Sequence, residues 1–311
     1  MAALASTDKL ARGRTAHRTS SATGRPGATW ALPGLLFFLL FAVVPMAAVA
    51  YLSFTDWDGL GTPRLNGGAN WSRLVHDPAI AHATVVTFVL LIGNIVVQAP
   101  LAILLGVWSA GPQRNRAALS AIFFVPLLLS TAATAVMWRQ LLDPNFGVPA
   151  TLPWLFGGDG NFVGTRNGAI VCLVAVTSWQ FIPFHTLLFQ ASARAIPLTL
   201  YQAAEIDGAG RFRQFRSITL PQLRNTIITS STLMVVGGLT AFDIVLVLTN
   251  GGPGTDTATL PFRMYQEGFS SYDMGYASAI AVVLLALSTG ISLLLVRVTG
   301  YDKMQSTLEG L

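Results

Sequence analysis

Residues Ala83–Trp108 read ATVVTFVLLIGNIVVQAPLAILLGVW, an unbroken stretch without one ionisable side chain. A helix crosses a hydrocarbon core of about 30 Å with about 20 mainly apolar residues. This stretch is long enough and apolar on nearly all sides, so it is expected to cross a membrane. Five more stretches read the same way: Trp30–Phe54, Ala117–Trp138, Gly168–Gln190, Thr226–Leu248 and Tyr276–Val298. Backbone groups inside a bilayer need partners within their own segment, and none of the runs alternates as a barrel strand would, so all six are read as helices. The expected fold is an all-α integral membrane protein with six transmembrane helices.

Composition agrees. Of 311 residues only 11% are charged, against roughly 25% in a soluble domain. A net charge of +5 raises nucleic acid as a partner, but the basic residues sit in short clusters between apolar blocks, so no nucleic-acid partner is expected. Membrane topology explains the charge better. With the N-terminus in the cytoplasm, 14 of the lysines and arginines fall inside and 5 outside, while eight acids from Asp56 to Asp273 fall outside. That bias places both termini in the cytoplasm. Residues 1–28 read as a disordered basic cytoplasmic N-terminus, 29–298 as the membrane domain and 299–311 as a cytoplasmic tail. Ala48-Val49-Ala50 resembles a signal cleavage site, but the preceding apolar run is too long for a signal core.

The longest internal cytoplasmic segment, 193–225, has helical patterning of its own. Pro197 can open a helix, Leu198 through Ile206 are good helix formers, and Gly208 permits a left-handed turn. Phe212, Phe215 and Ile218 then share one face of a second short helix, which Pro221 is expected to end. Two short helices meeting at a glycine corner are the result, and small Ala203 and Ala204 would let a partner's backbone come close.

The run Tyr201-Gln202-Ala203-Ala204-Glu205-Ile206-Asp207-Gly208-Ala209, followed by Phe215, Ile218, Leu220 and Pro221, resembles the "EAA" loop of ATP-binding-cassette importer permeases. Thr249-Asn250-Gly251-Gly252-Pro253-Gly254, continuing to Gly275-Tyr276-Ala277-Ser278-Ala279, with Phe242-Asp243 ahead of it, resembles the external loop and sixth helix of the sugar-importer branch, most of all its first permease of a heterodimeric pair. The resemblance implies that 193–225 is a coupling loop docking into a groove on a cytoplasmic ATPase. It further implies a second homologous permease, two ATPase copies, an extracytoplasmic sugar-binding protein and a bacterial plasma (inner) membrane. The family's first motif position is usually glutamate. Here it is Gln202, which keeps a hydrogen bond but no charge, and Glu205 lies three residues on, on nearly the same helix face.

No segment reads G-x-x-x-x-G-K-[ST], and the only lysines are Lys9 and Lys303. ATP and its magnesium are therefore expected on a partner, with no cofactor in this chain. Neither G-x-S-x-G nor H-E-x-x-H occurs, so no intramembrane enzyme is indicated. Four scattered histidines and the single Cys172 give no metal spacing. An ion-coupled secondary transporter is the alternative. It would need paired ionisable groups at mid-membrane and interrupted helices in repeated halves.

Asp243 is the only carboxylate in an expected span and is a candidate for the substrate path. Asn94 and Gln98, four apart on one helix face, are two more. Trp179 and Gln180 form an aromatic–amide pair suited to sugars. His185 reads as a satisfied interior histidine. Asn70-Trp71-Ser72 fits a glycosylation acceptor, a pattern frequent by chance.

Overall fold

A computed structural model describes residues 28–111, 123–156 and 160–299. The expected disordered N-terminus and cytoplasmic tail fall almost wholly outside those residues, as does the start of the third expected span. The chain divides into two compact units, residues 1–47 and 48–311. The described part of the first is a 3-10 turn, Ala28–Ala31, and the greater part of helix α1 (Leu32–Leu52), which is long and apolar enough to cross a membrane and carries a π turn at Leu39–Val43.

In the second unit a two-residue strand pair, β1 (Thr55–Asp56) and antiparallel β2 (Arg64–Leu65), leads into helix α2 (Ala69–His76). Helix α3 follows as Pro78–Ser109, because the Asp77 carboxylate accepts from the Ala79 amide at 2.8 Å and Pro78 suits the first turn. Helix α5 (Arg166–Arg194) is likewise capped by Thr165 and, like α3, contains one proline. These two helices pack along their length. Glycine sets their spacing: a Cβ on Gly106 would lie 2.5 Å from that of Phe189, and one on Gly93 would lie 3.0 Å from Val174. Close approach through small residues is how helices associate where lipid removes the hydrophobic drive.

The buried residues of α3 include Ala83, Thr87, Leu91, Asn94, Gln98, Ala102 and Gly106, a stripe at helical spacing. Its other face exposes Val85, Val89, Ile92, Val96, Leu101 and Leu104. In water that face would be polar; bare apolar side chains opposite a stripe containing an amide pair are the inverse, and fit a lipid surround.

Two expected spans differ from their reading. Within 117–138, the described part is a turn, Val125–Leu128, and then a break at extended Leu129 and Ser130. The Ser130 hydroxyl accepts from the Ala133 amide at 3.2 Å and starts helix α4 (Thr131–Leu141) afresh. The fifth span is also interrupted. The second coupling segment, α7 (residues 211–222), leads into α8 (Arg224–Leu239), and helix resumes only beyond residue 242, with a π turn at Val245–Thr249. Thr240 turns its hydroxyl back onto the Val236 carbonyl at 2.8 Å, competing with the ladder.

Pro221 does not end its helix as expected. A π turn at Phe215–Thr219 precedes it, with the Leu220 amide reaching back five residues to Phe215. The wider turn absorbs the missing proline N–H, so the chain continues helically into α8. Helix α6 is Leu198–Ile206, α9 is Leu260–Tyr265 with a π extension Gln266–Ser270, and α10 is Met274–Thr299. Helix α8 packs against α3 and α10, and Gly238 lies against Leu91 of α3.

Candidate functional site

Three regions of the second unit carry functional candidates. The first is the corner between α6 and α7. Helix α6 has no buried residue. Gln202, Ala203, Glu205 and Asp207 are exposed, whereas Tyr201 and Ala204 are half-buried. Leu198, Ile206 and Phe212 are 74%, 88% and 78% exposed, three bare apolar side chains on the corner that also carries Gln202 and Glu205. Gly208 closes the helix at φ +71°. Its amide donates to Glu205 O at 3.0 Å and that of Ala209 to Ala204 O at 2.8 Å, a left-handed cap that glycine adopts without strain. The Gln214 amide donates to Ala209 O at 2.9 Å, and the Tyr201 hydroxyl meets Thr219 Oγ1 at 2.9 Å. The corner is thus internally braced. Phe215 and Ile218 are half-buried, whereas Phe212, in the first turn of α7, is exposed.

Behind the corner, fully buried Leu223 packs with Ala102, Ile182 and Phe189. Thr226 donates to Ser192 at 2.6 Å, and Gln190 donates to Ser109 O at 3.0 Å. These contacts join the corner to the ends of α3 and α5.

The second region is a cavity of about 480 Å³ between the long helices. Asn94, Gln98 and Asp243 all line it, with Phe181, His185 and Phe242. Gln98 donates to Asn94 Oδ1 at 3.1 Å, and Asp243 is exposed. His185 bonds the Ser230 hydroxyl at 2.9 Å, a satisfied interior histidine. The broken fifth span produces this room, since residues 240–242 at the break are lining residues. Trp179 and Gln180 lie elsewhere. Trp179 meets Trp138 edge-on at 5.6 Å, and Gln180 donates to Leu129 O at 3.1 Å, holding the break before α4.

The third region lies at the β1–β2 end. Asn70 is buried and donates to Ser53 O and Thr55 O at 3.1 and 2.8 Å, which spends the amide nitrogen that glycosylation would need. Arg73 pairs with Asp273 at 2.7 Å and Glu267 at 3.3 Å and lies 3.7 Å over the Tyr276 ring. Partial burial works to lower its proton affinity, but the Asp273 hydrogen bond and the nearby Glu267 outweigh that, and Arg73 is held above its ordinary value. The Tyr276 hydroxyl donates to Asp77 at 2.8 Å. A Cβ on Gly275 would collide with the Thr55 carbonyl oxygen. The Gly275–Ala279 block is thus a clasp fixing α10 to the loop before α3. In sequence the small–aromatic–small run Gly275-Tyr276-Ala277 is visible, but its partners Thr55 and Asp77 lie in a distant part of the chain.

The chain is multi-pass and helical, with a largely apolar cavity bearing Asn94, Gln98 and Asp243 among its long helices, and an exposed helical corner at α6. The model of the family described as binding-protein-dependent transport system inner membrane component matches residues 102–299, and the chain belongs to that family, whose members are permease subunits without catalysis of their own. The Streptococcus mutans multiple sugar-binding transport system permease protein MsmF is 32% identical over 88% of this chain and 94% of its own. A probable ABC transporter permease of Pyrococcus horikoshii is 31% identical over 83% of this chain and 89% of its own. The crystal structure of a bacterial ABC transporter involved in import of the acidic polysaccharide alginate has a chain that superposes with a TM-score of 0.77 at 21% identity, covering 89% of this chain and 95% of that one. The last likeness is one of fold.

Proposed function

We propose that this chain is one of two homologous permeases forming the pathway of an ATP-driven importer for an oligosaccharide. An extracytoplasmic binding protein delivers the sugar, and two copies of a cytoplasmic ATPase, carrying ATP and magnesium, supply the energy. In this reading six spans cross a bacterial plasma membrane with both termini in the cytoplasm, the two broken segments each counting as one span. The observation that carries it is the α6 corner: exposed Leu198, Ile206 and Phe212 on the same turn-and-helix unit as exposed Gln202 and Glu205, capped at Gly208 and followed by Leu223, which packs against α3 and α5. Exposed apolar side chains on a short polar-flanked helix call for a protein partner. Glu205 supplies the charge that Gln202 lacks. Relatives named for sugar uptake support the substrate class.

ATP closes the partner subunits, their grooves move α6, and the long helices rock so that the Asn94–Gln98–Asp243 cavity changes the side to which it opens. Such coupling needs ATP and loaded binding protein to favour one state over the other. The interrupted fifth span is a feature shared with ion-coupled transporters, but among the described residues lining the cavity Asp243 is the one carboxylate and His185 is engaged by Ser230, so they offer no ionisable pair for an ion-coupled mechanism to use.

Gentle purification of the tagged chain from its native membrane tests the proposal. Recovery of a P-loop ATPase and a second permease, with ATP-dependent sugar uptake after reconstitution, is the expected result. A chain that purifies alone and moves solute without ATP sinks it.

A further inference from the structure

A cavity of about 690 Å³ lies behind the α6 corner, between it and the ends of α3 and α5. Its size falls in the roughly 300–1,000 Å³ range of small-ligand sites. Val107 of α3, Ile196 and Phe215 supply apolar wall, and Arg194 at the end of α5 and Arg211 at the start of α7 supply charge. Neither arginine has an ion-pair partner among the described residues, although Glu205 and Asp207 lie on the intervening corner. The inside rule accounts for arginines at this level of the chain. It does not account for two of them lining one open recess whose other walls are the ends of α3 and α5 and the inner side of the α6–α7 corner.

We propose that this cavity is a site for an anionic phospholipid, its phosphate between Arg194 and Arg211 and its glycerol and upper acyl carbons against Val107, Ile196 and Phe215. A guanidinium pairs with phosphate bidentately, and basic pockets between spans at the cytoplasmic face suit such headgroups. The apolar wall favours a lipid over free phosphate. Because Leu198 and Tyr201 of α6 also line the cavity, an occupying lipid braces the corner from behind and ties its position to the membrane. The leaflet assignment rests on the orientation proposed above; the pairing chemistry does not.

The test is native mass spectrometry of the intact transporter complex after exchange into phosphatidylglycerol, with phosphatidylcholine as the neutral comparison and inorganic phosphate as the soluble one. Each preparation is also assayed for ATP-dependent uptake. Wild type is expected to retain one more phosphatidylglycerol than the R194Q/R211Q double variant, whose affinity falls about 30-fold at about 1 kcal/mol per arginine. Arg213→Gln, which removes an arginine outside the cavity, keeps the lipid. Ala110→Trp, filling the cavity with both arginines present, loses it, which covers the case of a double variant that does not assemble. Equal retention by wild type and both cavity variants overturns the proposal. So does no retention by wild type, equal retention of phosphatidylcholine, or displacement by inorganic phosphate at equimolar level. Any of these in a complex that still transports removes the lipid site and leaves the transporter reading standing.

Discussion

Gly208 and Gly275 are both glycine for backbone reasons, yet the reasons differ. At Gly208 the constraint is the left-handed φ of +71°, and an added Cβ would meet nothing within 4 Å. At Gly275 it is the Thr55 carbonyl, a neighbour from a distant part of the chain. Gly208→Val is therefore expected to leave insertion and yield intact while straining the corner by about 1–2 kcal/mol, worth about five- to thirty-fold in ATPase docking. Gly208→Asn, which tolerates the left-handed region, retains docking. Co-purified ATPase per permease is the measurement, and full transport by the valine variant would refute the corner's role. Gly208 was legible in sequence because the information is local. The Asn70 and Tyr276 roles were not, since their partners Ser53, Thr55 and Asp77 lie at sequence separations that no local pattern encodes.

Helices α3 and α5 owe their contact to particular small residues. A side chain at Gly106 meets Phe189 and the backbone at Thr186 and Gln190, whereas Gly237 on α8 faces open space. Gly106→Val is expected to cost about 1–3 kcal/mol through overpacking and to lower the thermal midpoint of the purified complex. Gly237→Ala leaves it unchanged or slightly raised, as alanine suits a helix interior better by up to about 1 kcal/mol. Equal midpoints for the two variants would show that α3 and α5 do not depend on this approach. The expected helices over 83–108, 168–190 and 276–298 correspond closely to α3, α5 and α10, because twenty apolar residues in a bilayer have one way to satisfy their backbone. The segments over 117–138 and 226–248 are broken instead. Their apolar content resembles that of the others, and neither Ser130, whose hydroxyl caps the restarted helix, nor Thr240, whose hydroxyl turns back onto the Val236 carbonyl, stands out in sequence.

For the molecule as a whole, the charge distribution makes an orientation testable. With Cys172, which is buried, replaced by serine, Asp58→Cys is expected to react with a membrane-impermeant maleimide in intact cells. Arg213→Cys is expected to react only after the membrane is opened. Both native side chains are exposed, so the contrast reports sidedness and not burial. Reversed labelling would place the α6 corner outside, where no ATPase could reach it.

The sequence by itself determined the solvent, the helical class, the corner at Gly208 and the absence of a P-loop from this chain, because each is a property of contiguous residues or of composition. It also put Asn94 and Gln98 on one helix face. Only the tertiary structure decided that Asp243 joins them at one cavity while Trp179 and Gln180 turn to other partners, that Pro221 is carried through by a π turn, and that Asn70, Arg73, Asp77 and Tyr276 form one clasp. Those outcomes depend on which helices meet and at what separation. Uniformly apolar helices carry little sign of their neighbours, since lipid and protein interior are almost equally good surroundings for a leucine.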